Sequence, residues 1–190
     1  MNIVEPIRDI NLVYDIADYL KIRSERNYLL FEFGVSTAIR ISDILNLRVR
    51  DVRNRNGRIK EYISIKEEKT DKINKMKVPD DLKFLIKEYV SDKKDYEFLF
   101  KSRNGCNRHI TRQQAYRILS SAAKVFGINH IGCHTLRKTF GYHLYKKTKD
   151  AAAIMSLLNH SSISETLRYI GINQDRKDDI MQSVSFIRKS

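Results

Sequence analysis

His134-Thr135-Leu136-Arg137-Lys138-Thr139-Phe140, then Leu157-Leu158-Asn159-His160-Ser161-Ser162, then Thr166-Leu167-Arg168-Tyr169 are the stretches that decide how this chain is read. Arg137 lies 23 positions before His160, and Tyr169 lies nine after it. His134 and Arg137 are three apart, so both project from one side of a helix's first turn. A helix N-terminus also offers free N–H groups and a positive dipole end to an anion. Upstream, Ile39-Arg40-Ile41-Ser42-Asp43 adds a second guanidinium. Two rigid forks of donors suit the non-bridging oxygens of a phosphate, where charge grows in a pentacoordinate transition state. Two guanidiniums, two imidazoles and a phenol at these spacings suit one phosphodiester.

The charge balance points the same way. The 190 residues carry 36 Lys and Arg against 23 Asp and Glu, a formal net charge of +13. Between Phe98 and Lys149 there are 11 basic residues and no acid, whereas the first 33 residues hold four basic and six acidic side chains. A surface kept basic only for solubility normally intersperses both signs; a 52-residue stretch without an acid implies a polyanionic partner, nucleic acid. Hydrophobic content of 42% with two Pro and seven Gly is globular. No apolar run has the length of a membrane span, and no charged-then-apolar leader opens the chain. Cys106 and Cys133 are too few for a disulfide framework and lack metal-ligand spacing, so two reduced thiols in a cytoplasmic, DNA-associated protein are expected.

The periodicity predicts an α+β, mainly helical domain with one small antiparallel sheet. Val13, Ile16, Ala17 and Leu20 give a core-facing stripe over Asp9 to Leu20. Tyr28 to Val35 is apolar almost throughout, and a short helix from Ile41 to Leu47 has Arg40 at its entrance. After a turn at Asn54 to Gly57, Ile59, Ile63 and Ile65 suggest a strand, and Met76 and Val78 alternating with lysines a second. Glu67 to Asn74 is then the hairpin tip. Pro79-Asp80 opens a helix striped by Leu82, Leu85, Ile86, Tyr89 and Val90. Thr111 with Gln114 reads as a capping box for a helix ending at Phe126, before Gly127. Further helices run from His134 to about Tyr145, from Asp150 to Leu158, and from a second capping box, Ser162 with Glu165, to Tyr169. Ile180, Val184 and Ile187 stripe a last helix over Gln174 to Ile187. With no repeat or linker, residues 1–190 read as one domain.

The chain resembles the catalytic domain of the tyrosine recombinase (phage integrase) family over nearly its whole length. Thr37-Ala38-Ile39-Arg40-Ile41-Ser42-Asp43 is similar to the family's first-arginine box, His134 to Phe140 to its HxxR box, and the stretches around His160 and Tyr169 to its histidine and tyrosine boxes. The resemblance implies that Tyr169 attacks a scissile phosphate of double-stranded DNA, leaving a 3′-phosphotyrosyl link and a free 5′-hydroxyl. Arg40 and Arg137 hold the phosphate, and His134 and His160 assist proton transfer. It also implies a hairpin lysine that protonates the leaving oxygen; Lys69 matches best, with Lys66 and Lys72 as rivals. Asp43 is expected to orient Arg40, and Lys66, Lys72, Arg112 and Lys138 to contact DNA. A phenol of pKa about 10 needs help to ionise, and the cationic cluster is expected to favour phenolate. No cofactor, metal or ATP is expected, because fixed positive charge stands where Mg²⁺ would and the covalent link conserves phosphodiester energy.

Departures from the family pattern concern the first box, where Ala38-Ile39 stands in place of the common Gly-Leu and is expected to affect packing only, and also the turn and the termini. Asn159 stands where the family has Gly, and Asn tolerates the left-handed conformation such a turn requires. The family's N-terminal core-binding or arm-binding domain is expected to be absent, the chain being a fragment or a minimal protein. The last helix is either a core helix or a docking element for a homo-oligomer on DNA. A catalytically idle DNA-binding accessory protein and a type IB topoisomerase-like activity are the alternatives. His109, His130 and His143 read as surface or packing histidines.

Overall fold

In a computed structural model of the chain, which describes residues 4–66 and 73–183, twelve elements are seen among the described residues. Helices α1 (Ile10–Arg23), α2 (Glu25–Val35), α3 (Ile41–Leu45) and α4 (Val49–Val52) precede a hairpin of β1 (Tyr62–Lys66) and β2 (Ile73–Lys77). Helices α5 (Asp80–Tyr89), α6 (Arg112–Val125), α7 (Cys133–Thr148), α8 (Ala151–Leu157), α9 (Ile163–Tyr169) and α10 (Ile172–Ser183) follow. The strands pair antiparallel in the register Ile63 with Met76 and Ile65 with Asn74. No helix among the described residues is long and apolar enough to cross a membrane.

The expected stripe of α1 and the apolar run of α2 are buried. Val13, Ile16, Ala17 and Leu20 of α1 and Leu29, Leu30, Phe31 and Phe33 of α2 sit in the main core with Ile44, Ile63, Leu82, Ile86 and Leu119. The all-round apolar character of α2 is explained by its neighbours, since it packs against α1, α5, α3 and α7. Each such side chain removed from water contributes about 1.5–3 kcal/mol. A second, smaller cluster of Ala38, Tyr142, Ile154, Leu158, Ile170 and Ile172 holds α8, α9 and α10 on one face of α7. The tyrosine-bearing end of the chain therefore rests on a handful of contacts. At their centre is Gly141, where an added Cβ would lie 2.7 Å from Ile170 Cγ2.

Several boundaries differ from expectation. Ile59 lies outside β1, in an isolated bridge with Arg53, and Val78 lies beyond β2 with its N–H donated to the Glu61 carbonyl. Ile73 and Asn74, expected in the hairpin tip, pair with Lys66 and Ile65. Helix α4 was not expected. It is a single turn, too short for a periodic stripe, and is closed by the Asp51 carboxylate accepting from the Arg48 N–H at 2.7 Å. In α10, Ile180 and Met181 are exposed, while Val184 and Ile187 lie outside the described residues.

Candidate active site

Local turn chemistry explains how each candidate side chain is delivered. Arg40 caps the start of α3, and its guanidinium lies 4.0 Å from the carboxylate of Asp43, one turn on and buried. The orienting role expected of Asp43 has this geometry. At α7, the Thr135 hydroxyl accepts from the Gly132 N–H at 3.0 Å and closes the first turn, which carries His134. Arg137, one turn later, is 4% exposed, and its Nη2 donates to the Leu158 carbonyl at the end of α8. That bond ties the second arginine to the turn carrying His160.

The turn itself is a Schellman motif. The Asn159 N–H donates to the Ser156 carbonyl at 3.1 Å and the His160 N–H to Met155 at 3.0 Å, with Asn159 left-handed at φ 50°. Asn thus fills the glycine position as expected, and His160 is the first residue out of the turn. Helix α9 then starts at Ser162, whose hydroxyl accepts from the Glu165 N–H. The expected capping box is only half formed, because Glu165 turns to the N–H and hydroxyl of Ser161. The box at α6 is complete, with Thr111 and Gln114 bonded both ways at 2.8 and 3.1 Å.

These elements converge on Tyr169, the last residue of α9. Its hydroxyl lies 3.3 Å from His134 Nδ1, and its ring stands edge-on to His160 with centroids 4.8 Å apart. His160 Nδ1 lies 3.2 Å from the Thr166 hydroxyl, which itself donates to the Ser162 carbonyl at 2.9 Å. With its one proton so used, Thr166 must accept from Nδ1–H, leaving His160 Nε2 as the open nitrogen of a neutral ring. Thr166 was not among the expected site residues. The available signal was its place three before Tyr169, on the same helix face. A cleft of about 630 Å³ beside this group is lined by Arg40, Ser42, Asn46, His109, Arg112 and His134, among others. His109, expected to be a surface or packing histidine, does pack edge-on to Phe98 but also borders the cleft.

The electrostatics correct one expectation. Tyr169 has its pKa raised rather than lowered: loss of water on burial outweighs the fields of Arg137 and Arg40, which pull the other way. His134 has its pKa lowered, chiefly by loss of water around the ring and then by Arg112, Arg137, Lys138 and Arg40. His160 is lowered by burial, with Glu165 opposing and Arg137 and Arg40 adding. At neutral pH the free protein therefore holds a neutral phenol beside a neutral imidazole.

Lys138 also departs from expectation. It is 9% exposed, its Nζ donates to the Val4 carbonyl at 2.8 Å and lies 5.0 Å over the Tyr169 ring. An ammonium bound inside by the segment before α1 is not placed on an open face for DNA. Arg112, by contrast, is exposed at the cleft mouth. Lys69 and Lys72 lie outside the described residues, and Lys66 ends β1. His143 packs as expected, its Nε2 2.9 Å from the Ile7 carbonyl, and His130 is exposed.

Comparison with known proteins follows the same lines. The model of the phage integrase family matches residues 8–176. A probable integrase/recombinase of Bacillus subtilis, YoeC, is 49% identical over 175 residues, covering 92% of this chain and 93% of that protein. Tyrosine recombinase XerD of Oceanobacillus iheyensis is 28% identical over 169 residues, covering 84% of this chain and 54% of the relative. The chain thus spans nearly all of the first relative and about half of the second. Among solved structures, XerA recombinase superposes with a TM-score of 0.73 at 18% identity, over 98% of this chain and 66% of that one. The catalytic domain of bacteriophage HP1 integrase gives 0.60 at 16% identity, over 87% and 86%. These superpositions give the chain the fold of the tyrosine recombinase catalytic domain, here mainly helical with a two-stranded antiparallel sheet.

Proposed function

This chain belongs to the phage integrase family, the tyrosine-type site-specific DNA recombinases, and we propose that it breaks and rejoins duplex DNA with Tyr169 as nucleophile, as one catalytic domain. The observation that carries this reading is the meeting of Tyr169, His134 and His160 within the fields of Arg40 and Arg137, beside an open cleft. The Tyr169 oxygen attacks phosphorus, and the bond from phosphorus to the 5′-oxygen breaks. A 3′-phosphotyrosyl ester and a free 5′-hydroxyl result. Arg40, fixed by Asp43, and Arg137, fixed by Leu158, take the charge that grows on the non-bridging oxygens.

A neutral phenol has to lose its proton, and His134 is the acceptor within reach. Its depressed pKa keeps Nδ1 unprotonated at pH 7, in the tautomer with hydrogen on Nε2. His160, with Nδ1–H held by Thr166, offers Nε2 to the phosphate. The leaving 5′-oxygen takes its proton from a hairpin lysine, Lys69 by the family resemblance, with Lys66 and Lys72 as rivals. No metal and no ATP enters: the two guanidiniums supply the positive charge, and the phosphotyrosyl ester keeps the energy of the broken bond. The exposed Ile180 and Met181 of α10 support docking of this helix on a neighbouring protomer on DNA.

The test is a nicked suicide duplex, from which the freed 5′ fragment diffuses away, drawn from a pool of candidate junction sequences and incubated in EDTA. A covalent protein–DNA band on a denaturing gel, lost in Tyr169→Phe, is expected. A band that persists in Tyr169→Phe would name another nucleophile. DNA binding with no band would turn the assignment towards an accessory protein.

A further inference from the structure

A second basic pocket lies beside the catalytic cleft. Its volume is about 340 Å³, and it is lined by Arg26 from the start of α2, by Ser102, Arg103 and Asn104, and by Gln114 and Arg117 of α6, among others. Gln114 and Arg117 are three apart and share one helix face. Arg26 is held rigidly: its Nη1 donates to the Lys101 carbonyl at 2.8 Å, and its Nε and Nη2 donate to Asn27 Oδ1 at 3.1 and 3.0 Å. Among the described residues, no carboxylate forms an ion pair with Arg26, Arg103 or Arg117. Burial lowers the pKa of Arg26 and nearby Arg103 lowers it further, against an opposing effect of Tyr89. An anion entering the pocket would offset the loss of water around Arg26 and the repulsion from Arg103.

The pocket and the cleft are flanked by successive residues. His109 lines the cleft and Ile110 the pocket; α6 gives Arg112 to the first and Arg117 to the second. Five residues of helix separate those arginines by about 7.5 Å along the axis and by about 140° around it. We propose that the Arg26–Arg103–Arg117 pocket is a second phosphate-binding site, which takes a backbone phosphate of the same duplex that lies across the catalytic cleft. This rests on the reading of that cleft as a DNA-cleaving site. Planar guanidinium forks suit a tetrahedral phosphate bidentately, and such contacts fix the register of the duplex without reading its bases.

The test removes the two exposed arginines and leaves Arg26, which ties α2 to Lys101. In a Tyr169→Phe background, DNA affinity is measured from 0.05 to 0.3 M salt for the parent, for Arg103→Ala/Arg117→Ala, and for Lys146→Ala/Lys147→Ala. The last pair removes equal charge at the far end of α7, about 20 Å along the helix from His134. The arginine variant is expected to bind about tenfold more weakly, with the slope of log affinity against log salt smaller by about 0.9, the value for one lost phosphate contact. The lysine variant is expected to keep the parent slope. An unchanged slope in the arginine variant overturns the proposal. So does a shift in melting temperature by inorganic phosphate that needs these arginines while the DNA slope stays unchanged, since the pocket would then serve a free anion. With Tyr169 restored and DNA saturating, the arginine variant should still form the covalent complex. A parent that binds DNA yet never forms it would sink the cleavage reading and leave the slope comparison standing.

Discussion

Gly141 is the residue through which α7 sets the position of the nucleophile. A Cβ built there lies 2.7 Å from Ile170 Cγ2, 3.5 Å from Leu158 Cδ1 and 3.7 Å from Ile154 Cγ2. Ile170 follows Tyr169 directly and is fully buried, so the close contact cannot be relieved by a free side-chain end. Restoring an ordinary 3.4 Å separation needs a shift of about 0.7 Å between α7 and the end of α9. Overpacking of this kind costs about 1–3 kcal/mol. Replacing a helical glycine by alanine returns about 1 kcal/mol, so the net loss in Gly141→Ala is about 0–2 kcal/mol. The melting temperature should therefore fall by no more than about 8 °C. Catalysis responds more steeply, since a misplacement near 1 Å costs about 100-fold in rate. Single-turnover formation of the covalent complex on a suicide duplex should slow by about 10- to 100-fold, with DNA affinity within threefold of the parent. Ile170→Ala in the same chain removes the clashing methyl and should return part of the rate, a coupling that a double-mutant cycle measures. Cleavage at the parent rate by folded Gly141→Ala, or strictly additive losses in the double variant, would refute the reasoning.

The other predictions follow from the same geometry. Asn159→Gly should preserve cleavage and stability, whereas Asn159→Ala, forced left-handed at φ 50°, should lose about 1–2 kcal/mol in a denaturant melt and slow cleavage by misaiming His160. Asp43→Asn removes the buried carboxylate beside Arg40; stability should fall by about 1.5–3 kcal/mol and cleavage by at least tenfold, with DNA binding little changed. His134 and His160 titrate below their ordinary value in the free protein, and a bound phosphate raises them, so binding takes up protons. DNA affinity in a Tyr169→Phe background should therefore rise as the pH falls from 7.5 to 5.5, and His134→Gln/His160→Gln should flatten that rise. By the same shifts the free protein loses stability as the pH drops below about 6.5, because the unfolded chain takes the protons first.

How much of this was legible in the sequence follows from which interactions are local. The stripe of α1, the box at α6, the left-handed Asn159 and the Asp43–Arg40 pair all join residues within a few positions of one another, and spacing alone reveals them. What joins Lys138 to Val4, or Thr139 to the Ile7 N–H at 2.9 Å, spans more than 130 residues and leaves no periodic trace. Helical phase turns Lys138 about 100° away from Arg137. The sequence could not show that the segment before α1 covers that side. Nor could it show the hairpin's true pairing, because Ile73 and Asn74 alternate no more clearly than the lysines around them.

The reversed pKa of Tyr169 has the same physical origin. A sequence displays two arginines, two histidines and a lysine around a phenol, and counting charges favours phenolate. The count omits solvent. Folding puts Tyr169 against the rings of His134 and His160, with the Lys138 ammonium over its face, and the water it loses favours the neutral phenol more than Arg40 and Arg137 favour the ion. The same loss drives His134 and His160 to the neutral form, and there the fields of Arg137 and Arg40 act in the same direction. A neutral imidazole beside a neutral phenol is the arrangement in which proton transfer can accompany attack. The phosphate that enters adds negative charge and raises the phenol further, so a waiting base matters more with DNA bound than without it. If His134 is that base, the cleavage rate on saturating DNA should level off above the pKa that His134 has in the DNA complex, which the phosphate raises above that of the free protein. In His134→Ala the rate should instead climb with pH towards the phenol's own ionisation, and a parent profile that climbs in the same way would remove His134 from the role.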